Sequence, residues 1–218
     1  MDGMVIKSAL NEEQLDGLRA EIAACRICRD APLRGIEDRL PHEPRPVAVL
    51  SSRARVLIAG QAPGLRVHES GLPFDDASGD RLRQWLEVDR PTFYDRDRFA
   101  IVPMGFCFPG YDAAGSDLPP RRECAPVWQD RVLSAMPQIE LVLAVGGYAQ
   151  TWHMGAFRRE NMTETVRAWR DSLGAPGKPS ILPLPHPSWR NTGWIKRHPW
   201  FEEELLPELR LRIKMLAF

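Results

Sequence analysis

Four short apolar runs constrain this chain more than any other feature: "RVLIAG" (55–60), "RFAIVPMGF" (98–106), "IELVLAVGG" (139–147) and "SILPLPH" (180–186). Each is brief, aliphatic and closed by Gly or Pro, which is how a strand buried on both faces reads. Helical segments lie between them. "GDRLRQWLEV" (79–88) puts Leu82, Trp85 and Leu86 on one face, and "CAPVWQDRVLSAMP" (124–137), "YAQTWHMG" (148–155) and "TETVRAWRDSL" (163–173) also read as helices. "WFEEELLPELRLRIKMLAF" closes the chain as a helix, with Pro207 kinking it or starting a segment. Upstream, "NEEQLDGLRAEIAACR" (11–26) reads as a helix with Asn11 as cap, Gln14 at the capping-box position and Leu15, Leu18 and Ile22 on one face. Strands that alternate with helices predict a three-layer α/β/α sandwich around a mostly parallel four-stranded sheet. The 218 residues fit one domain, with 1–54 as an N-terminal helix and a Pro- and Arg-rich arm. In such sheets a ligand binds beyond the carboxyl ends of the strands. Three of those ends feed unusual loops, from Gly60, Gly105 and Pro185 onward.

Composition narrows the function. Lys plus Arg (29) balance Asp plus Glu (29), which argues against coating nucleic acid by bulk charge but leaves room for a local basic patch. No run reaches the roughly 18 apolar residues of a membrane span, and the acidic N-terminus has no apolar signal core. The expectation is a cytoplasmic monomer with no membrane partner. A cytosolic chain seldom uses disulfides, so Cys25, Cys28, Cys107 and Cys124 ask for a metal or redox reading, the plain alternative being four buried thiols.

Two motifs sit at strand ends, and a third is built from the cysteines. "GQAPG" (60–64) lets the backbone turn tightly and approach a ligand, yet it lacks the Gly-Lys-Ser/Thr of a nucleotide loop and the GxGxxG of a dinucleotide fold. "HPSWRN" (186–191) holds a His between a strand end and a proline, where its ring can donate to a developing anion. Ser188, Arg190 and Asn191, with Lys196 and Arg197 just downstream, supply phosphate-gripping groups interleaved with Trp189 and Trp194. Cys25-x-x-Cys28 and the pair Cys107 and Cys124 use every cysteine of the chain, and four thiolates suit either zinc or an iron–sulfur cluster.

Taken together, these pieces resemble the uracil-DNA glycosylase superfamily, in particular its four-cysteine fourth and fifth families. The first motif reads "GQAPG…GLPFDDASGD", the second "HPSWRN", and "LVLAVGGYA" is similar to a characteristic strand and helix between them. The resemblance implies a [4Fe–4S] cluster on Cys25, Cys28, Cys107 and Cys124, with zinc or no metal as alternatives. It implies a pocket for a base turned out of DNA. Phe74 would be its stacking platform, the backbone of Gly60, Ala62, Pro63 and Gly64 its lining, and His186 the donor to uracil O2.

The chain departs from the family pattern at telling places. Gln61 and Ala62 stand where an acid is usual, and Pro103 where several families read uracil with Asn. The fifth family's acid before its Ser-Gly turn falls on Asp76, so Asp76 is the first catalytic candidate and Asp75 the second. Against this stands the reading of Asp76 as a helix cap. Gln61 can hold water or pair with a base edge, and His68 can reach the abasic sugar or face solvent. The expected function is monofunctional excision of uracil from DNA, leaving an abasic site. The alternatives are a non-catalytic binder of deaminated or abasic DNA and a broader deaminated-base glycosylase.

Overall fold

A computed structural model describes residues 12–173 and 179–218. The expected cap Asn11 lies outside them. Helices α1 (Glu12–Ala23) and α2 (Ile27–Asp30) precede strand β1 (Val56–Ala59). Helices α3 (Leu65–Ser70), α4 (Ala77–Leu86) and α5 (Arg90–Tyr94) lead to β2 (Phe99–Ile101). Helix α6 (Cys124–Ala135) leads to β3 (Leu141–Val145), and α7 (Gly147–His153) and α8 (Met162–Arg167) to β4 (Ser180–Leu184). Helices α9 (Thr192–Arg197) and α10 (Leu206–Ala217) close the chain.

The four strands form one sheet in the order β2-β1-β3-β4, every pair parallel. Alternate residues divide between two cores. Val56, Ile58, Leu141, Leu143 and Leu182 pack with α4, α9 and α10 on one face. Leu57, Ala59, Val142, Ala144 and Ile181 pack with α1, α6 and α7 on the other. That is the three-layer α/β/α arrangement the alternation predicts, and it explains why the strands are apolar at every position. No helix among the described residues is long and apolar enough to cross a membrane.

The differences from expectation are local. The second strand stops at Ile101, because Pro103 cannot extend the ladder; single bonds from Val102 N to Ile58 O and Met104 N to Gly60 O carry the chain onward. Cys107 therefore lies in a loop past the strand. The helix expected over 163–173 breaks at Ala168 into a 3-10 turn, Trp169–Ser172. Pro207 starts α10, preceded by a π-helical turn at Phe201–Leu205. The "HPSWRN" segment is more than a loop: it runs through a 3-10 turn (Trp189–Asn191) into α9, and this buries Trp194, which packs against Phe201.

Candidate active site

The carboxyl ends of β1, β2 and β4 converge on one pocket holding about 460 Å³ of empty space, counting solvent at its mouth. Gly60, Gln61, Ala62, Pro63 and Gly64 from the first motif line it, with Phe74 and Asp76 from the second half of that motif, Pro103 after β2, and His186 after β4. Residues far apart in sequence are thus brought to one place by the parallel sheet.

Phe74 is held under strain. Its φ of 56° lies in the left-handed region that a bulky residue avoids. Gly79 makes that conformation possible, and Gly60 leaves room for the ring. A Cβ on Gly79 would stand 1.8 Å from the Phe74 carbonyl oxygen, so only glycine permits α4 to start there. A Cβ on Gly60 would stand 3.3 Å from the far edge of the Phe74 ring, so the ring lies directly over the end of β1. Behind it the Phe93 ring meets it edge-on at 6.1 Å.

Asp76 is both the N-cap of α4 and a wall of the pocket. Its Oδ1 accepts from Gly79 N at 2.8 Å. Capping and chemistry were posed as rivals by the sequence, but a carboxylate has two oxygens, and one bond to Oδ1 leaves Oδ2 available. One turn along the same helix, Arg81 donates to Ser188 O at 2.8 Å and Thr192 Oγ1 at 3.1 Å. Helix α4 therefore ties Asp76 to the segment that carries His186. Asn191 completes the brace by donating from Nδ2 to His186 O at 2.7 Å.

The His186 ring makes no hydrogen bond to any described residue and opens on the pocket. Burial lowers its pKa, while the nearby Asp76 carboxylate pulls it back up. The ring is therefore a neutral donor around neutral pH. Gln61 also lines the pocket with a side-chain amide that no described residue engages; only its carbonyl is used, accepting from Gly105 N at 2.9 Å.

Two sequence candidates fall elsewhere. Asp75 turns to Arg90, which donates to it at 2.8 Å and holds its carboxyl below the ordinary aspartate range, so it is paired away from the pocket. Adjacent residues in an extended segment point opposite ways, which is why one of the two had to leave. His68 is not a pocket residue either: on α3 it packs against His42, ring centroids 4.5 Å apart, and near Phe108 at 6.0 Å. Burial beside His42 lowers its pKa. Ser78, next to the cap, lines the pocket and was missed; only the position of the helix start could have pointed to it. Of the expected phosphate-gripping groups, Arg190 and Lys196 are exposed and Arg190 reaches Ser116 at 3.4 Å, whereas Ser188 and Asn191 spend groups on bracing.

A second, apolar pocket gathers all four cysteines, with Arg121, Glu123 and Trp128. All four are free thiols. Burial pushes Cys28 up to about 11 and Cys107 up to about 12, and raises Cys124 further, each thiol disfavouring the charge of its neighbours. No three His, Cys, Asp or Glu side chains among the described residues come together tightly enough to hold a single metal ion. Two buried donors beside the thiols, Arg121 Nε and Trp128 Nε1, have no partner among the described residues. Phe106 N already points at Cys124 Sγ, 3.3 Å away.

The pocket geometry agrees with a comparison of the sequence against known families: the model of the uracil DNA glycosylase superfamily matches residues 47–210, well over half of the chain. The chain belongs to the uracil DNA glycosylase superfamily. The superfamily match spans both strand-end motifs, from before β1 to within α10, and takes in Asp76, His186, Cys107 and Cys124. Cys25 and Cys28 lie outside it. Membership assigns the chain to enzymes that cleave the bond between base and sugar in DNA.

Proposed function

We propose that this glycosylase excises uracil from DNA by simple hydrolysis, leaving an abasic site. The observation that carries the reading is the convergence of Asp76, His186 and Phe74, from both motifs, on one pocket at the strand ends. A base turned out of the helix stacks on Phe74. As the N-glycosidic bond breaks, the sugar becomes cationic and the leaving uracil anionic. Asp76, fixed through Oδ1, faces the sugar with its second oxygen and orients water there, as carboxylates do in glycoside hydrolysis. Neutral His186 donates to uracil O2 and stabilises the leaving anion without competing for a proton. The free Gln61 amide offers a donor and an acceptor to the N–H and C=O of the base edge. No lysine among the described residues lines the pocket to form a Schiff base, which supports a monofunctional reaction.

The same observations support a wider base range. Pro103 has no side-chain group to read a base, and a Gln amide pairs equally with the N–H/C=O edge of uracil or hypoxanthine. Comparing excision from duplexes carrying uracil, hypoxanthine or xanthine separates the two. Incubating a uracil oligonucleotide with the protein and then with alkali tests the main reading. Strand scission that collapses with Asp76→Asn is expected. An intact strand together with tight binding would make the protein a reader of damaged DNA instead.

The thiol pocket suits a [4Fe–4S] cluster bound by Cys25, Cys28, Cys107 and Cys124. All four thiols line one apolar cavity, the donor set that a cluster held by four thiolates takes. The orphaned N–H groups of Arg121 and Trp128 are what cluster sulfurs accept from. Such a group would supply a structural cross-link between the N-terminal arm and α6.

A further inference from the structure

A groove lined by prolines and arginines lies beside the base pocket, beyond a thin wall of chain. A Cβ on Gly105 would stand 3.1 Å from Pro120, which lines the groove, and 3.5 Å from Ala62, which lines the base pocket. The groove is also lined by Arg34, Asp38, Arg121, Arg122 and Tyr148. Tyr148 follows two residues after Gly146, where a Cβ would stand 3.6 Å from His186 Cβ. The groove thus flanks the base pocket along both its loops.

Its charge is one-sided. Asp38 is the single carboxylate among the lining residues, and it is spent on Arg121 at 3.1 Å. Arg121 is held as well by the buried Glu123 at 3.3 Å. Arg34 and Arg122 are exposed and form no ion pair or hydrogen bond with any described residue. Tyr148 is 45% exposed. Two unpaired guanidinium forks and an open aromatic ring therefore face a groove next to the proposed chemistry. The arm that carries Arg34 is fixed in place, since Leu33 N donates to Glu123 Oε1 at 2.9 Å and Asp38 is pinned by Arg121. The Arg121–Glu123 pair, its carboxylate buried, thus does more than fill space: it pre-sets Arg34 and Arg122 on opposite segments of one groove.

We infer that this groove holds the sugar–phosphate backbone of the substrate strand next to the extruded nucleotide, with Arg34 and Arg122 on phosphates and Tyr148 against a sugar or base. The inference rests on the DNA-glycosylase reading. A planar guanidinium suits a phosphate better than an ammonium point charge, and separated unpaired arginines suit an extended polyanion rather than one small anion. It also gives the thiol pocket a purpose, because Arg121 lines both cavities. The cluster proposed there would brace the phosphate-gripping wall and stay out of bond cleavage.

Anisotropy titrations of a duplex carrying an abasic-site analogue, over a salt series, test this. The variants are Arg34→Ala/Arg122→Ala, the charge-keeping Arg34→Lys/Arg122→Lys, and Lys214→Ala on α10 at the opposite end of the sheet. The alanine pair should weaken binding and flatten the salt dependence by about two phosphates, roughly 0.9 in log–log slope for each. The lysine pair should keep the slope, and Lys214→Ala should match wild type. On a uracil duplex the alanine pair should raise KM and leave kcat and Tm alone. An unchanged slope in the alanine pair, or an equal fall in the lysine pair, overturns the groove. If wild type excises uracil while its slope ignores the arginines, the groove falls and the activity stands. If the slope depends on the arginines but uracil stays in place, the groove stands and the excision reading falls.

Discussion

The two pockets flank the same stretch of chain, Pro103 to Cys107, yet they are built on opposite principles. The base pocket is assembled from backbone geometry: a strained Phe74, a cap on α4, and glycines at close approaches. Its polar groups are left with bonding capacity to spare, one oxygen on Asp76, the ring of His186, the amide of Gln61. The thiol pocket is assembled from distant segments and has no such framework. Burial raises the pKa of Cys28, Cys107 and Cys124, and two N–H donors beside the thiols are orphaned. A site with unspent groups facing an opening is arranged for a transient ligand. The thiol pocket's unsatisfied N–H groups instead ask for a partner that the described residues do not supply.

Substitution should split the two cleanly. Cys124→Ser is expected to have the largest effect: with the proposed cluster bound by the wild type, iron content and visible absorbance after anaerobic purification should disappear in the variant, and Tm should fall steeply, because the cross-link the cluster would make between the arm and α6 is lost. Activity should fall only as far as folded protein is lost. Asp76→Asn should do the reverse. Asn caps a helix about as well as Asp, so Tm should hold. Loss of the charge facing the sugar should lower kcat about 10²–10³-fold, the scale of other preorganised electrostatic groups. Asp76→Ala removes both roles and should add about 1 kcal/mol of destabilisation. A Cys124→Ser protein with unchanged Tm, or an Asp76→Asn protein with full kcat, would erase the contrast.

Acid offers a smaller test that touches neither pocket. His153, at the end of α7, is half-buried with its Nε2 sealed from solvent and unpartnered, and burial pulls its pKa down to about 4. The unfolded chain takes up this proton near pH 6.5, whereas the folded chain resists it until about pH 4. Stability contributed by the neutral ring is therefore complete above about pH 6.5 and drains away as pH falls toward 4, by about 3 kcal/mol in total. Denaturant titrations across that window should show the fall in wild type and a shallower one in His153→Gln. Parallel slopes would place His153 in contact with water.

What the sequence disclosed follows from what each signal depends on. The strands were legible because burial on both faces leaves an unbroken apolar run such as Leu141–Val145. Asp76 was legible because its position in "DDASGD" serves cap and pocket alike. The choice between Asp75 and Asp76 was not, since it turns on Arg90, fifteen residues on, capturing one carboxylate. His68 looked like a pocket residue from its place in the motif, but α3 is a full helical turn that aims it at His42, a partner on the arm. Trp194 looked like a nucleic-acid contact and is a core residue, because α9 follows the His loop and presents one face to Phe201. The groove's arginines carried no pattern at all: Arg34 and Arg122 meet only through the tertiary ties of Arg121 and Glu123.

The smallest expected effect sharpens the account of Phe74 itself. Gly60→Ala would set a methyl 3.3 Å from the edge of the Phe74 ring, a contact tight by a few tenths of an ångström and against a side chain rather than backbone. The ring can yield by tilting toward the pocket, so folding should survive with a loss of about 1 kcal/mol or less. The stacking plane would shift, and stacking on an aromatic ring contributes about 1–3 kcal/mol for each base. Losing a fraction of that should raise KM a few-fold and leave kcat near wild type, because the bonds that fix Asp76 to Gly79 N and His186 O to Asn191 do not involve Gly60. Steady-state kinetics on a uracil duplex read this directly. If kcat falls and KM does not, the ring orients the base for bond cleavage rather than merely holding it, and the strain at Phe74 belongs to the chemistry instead of to binding.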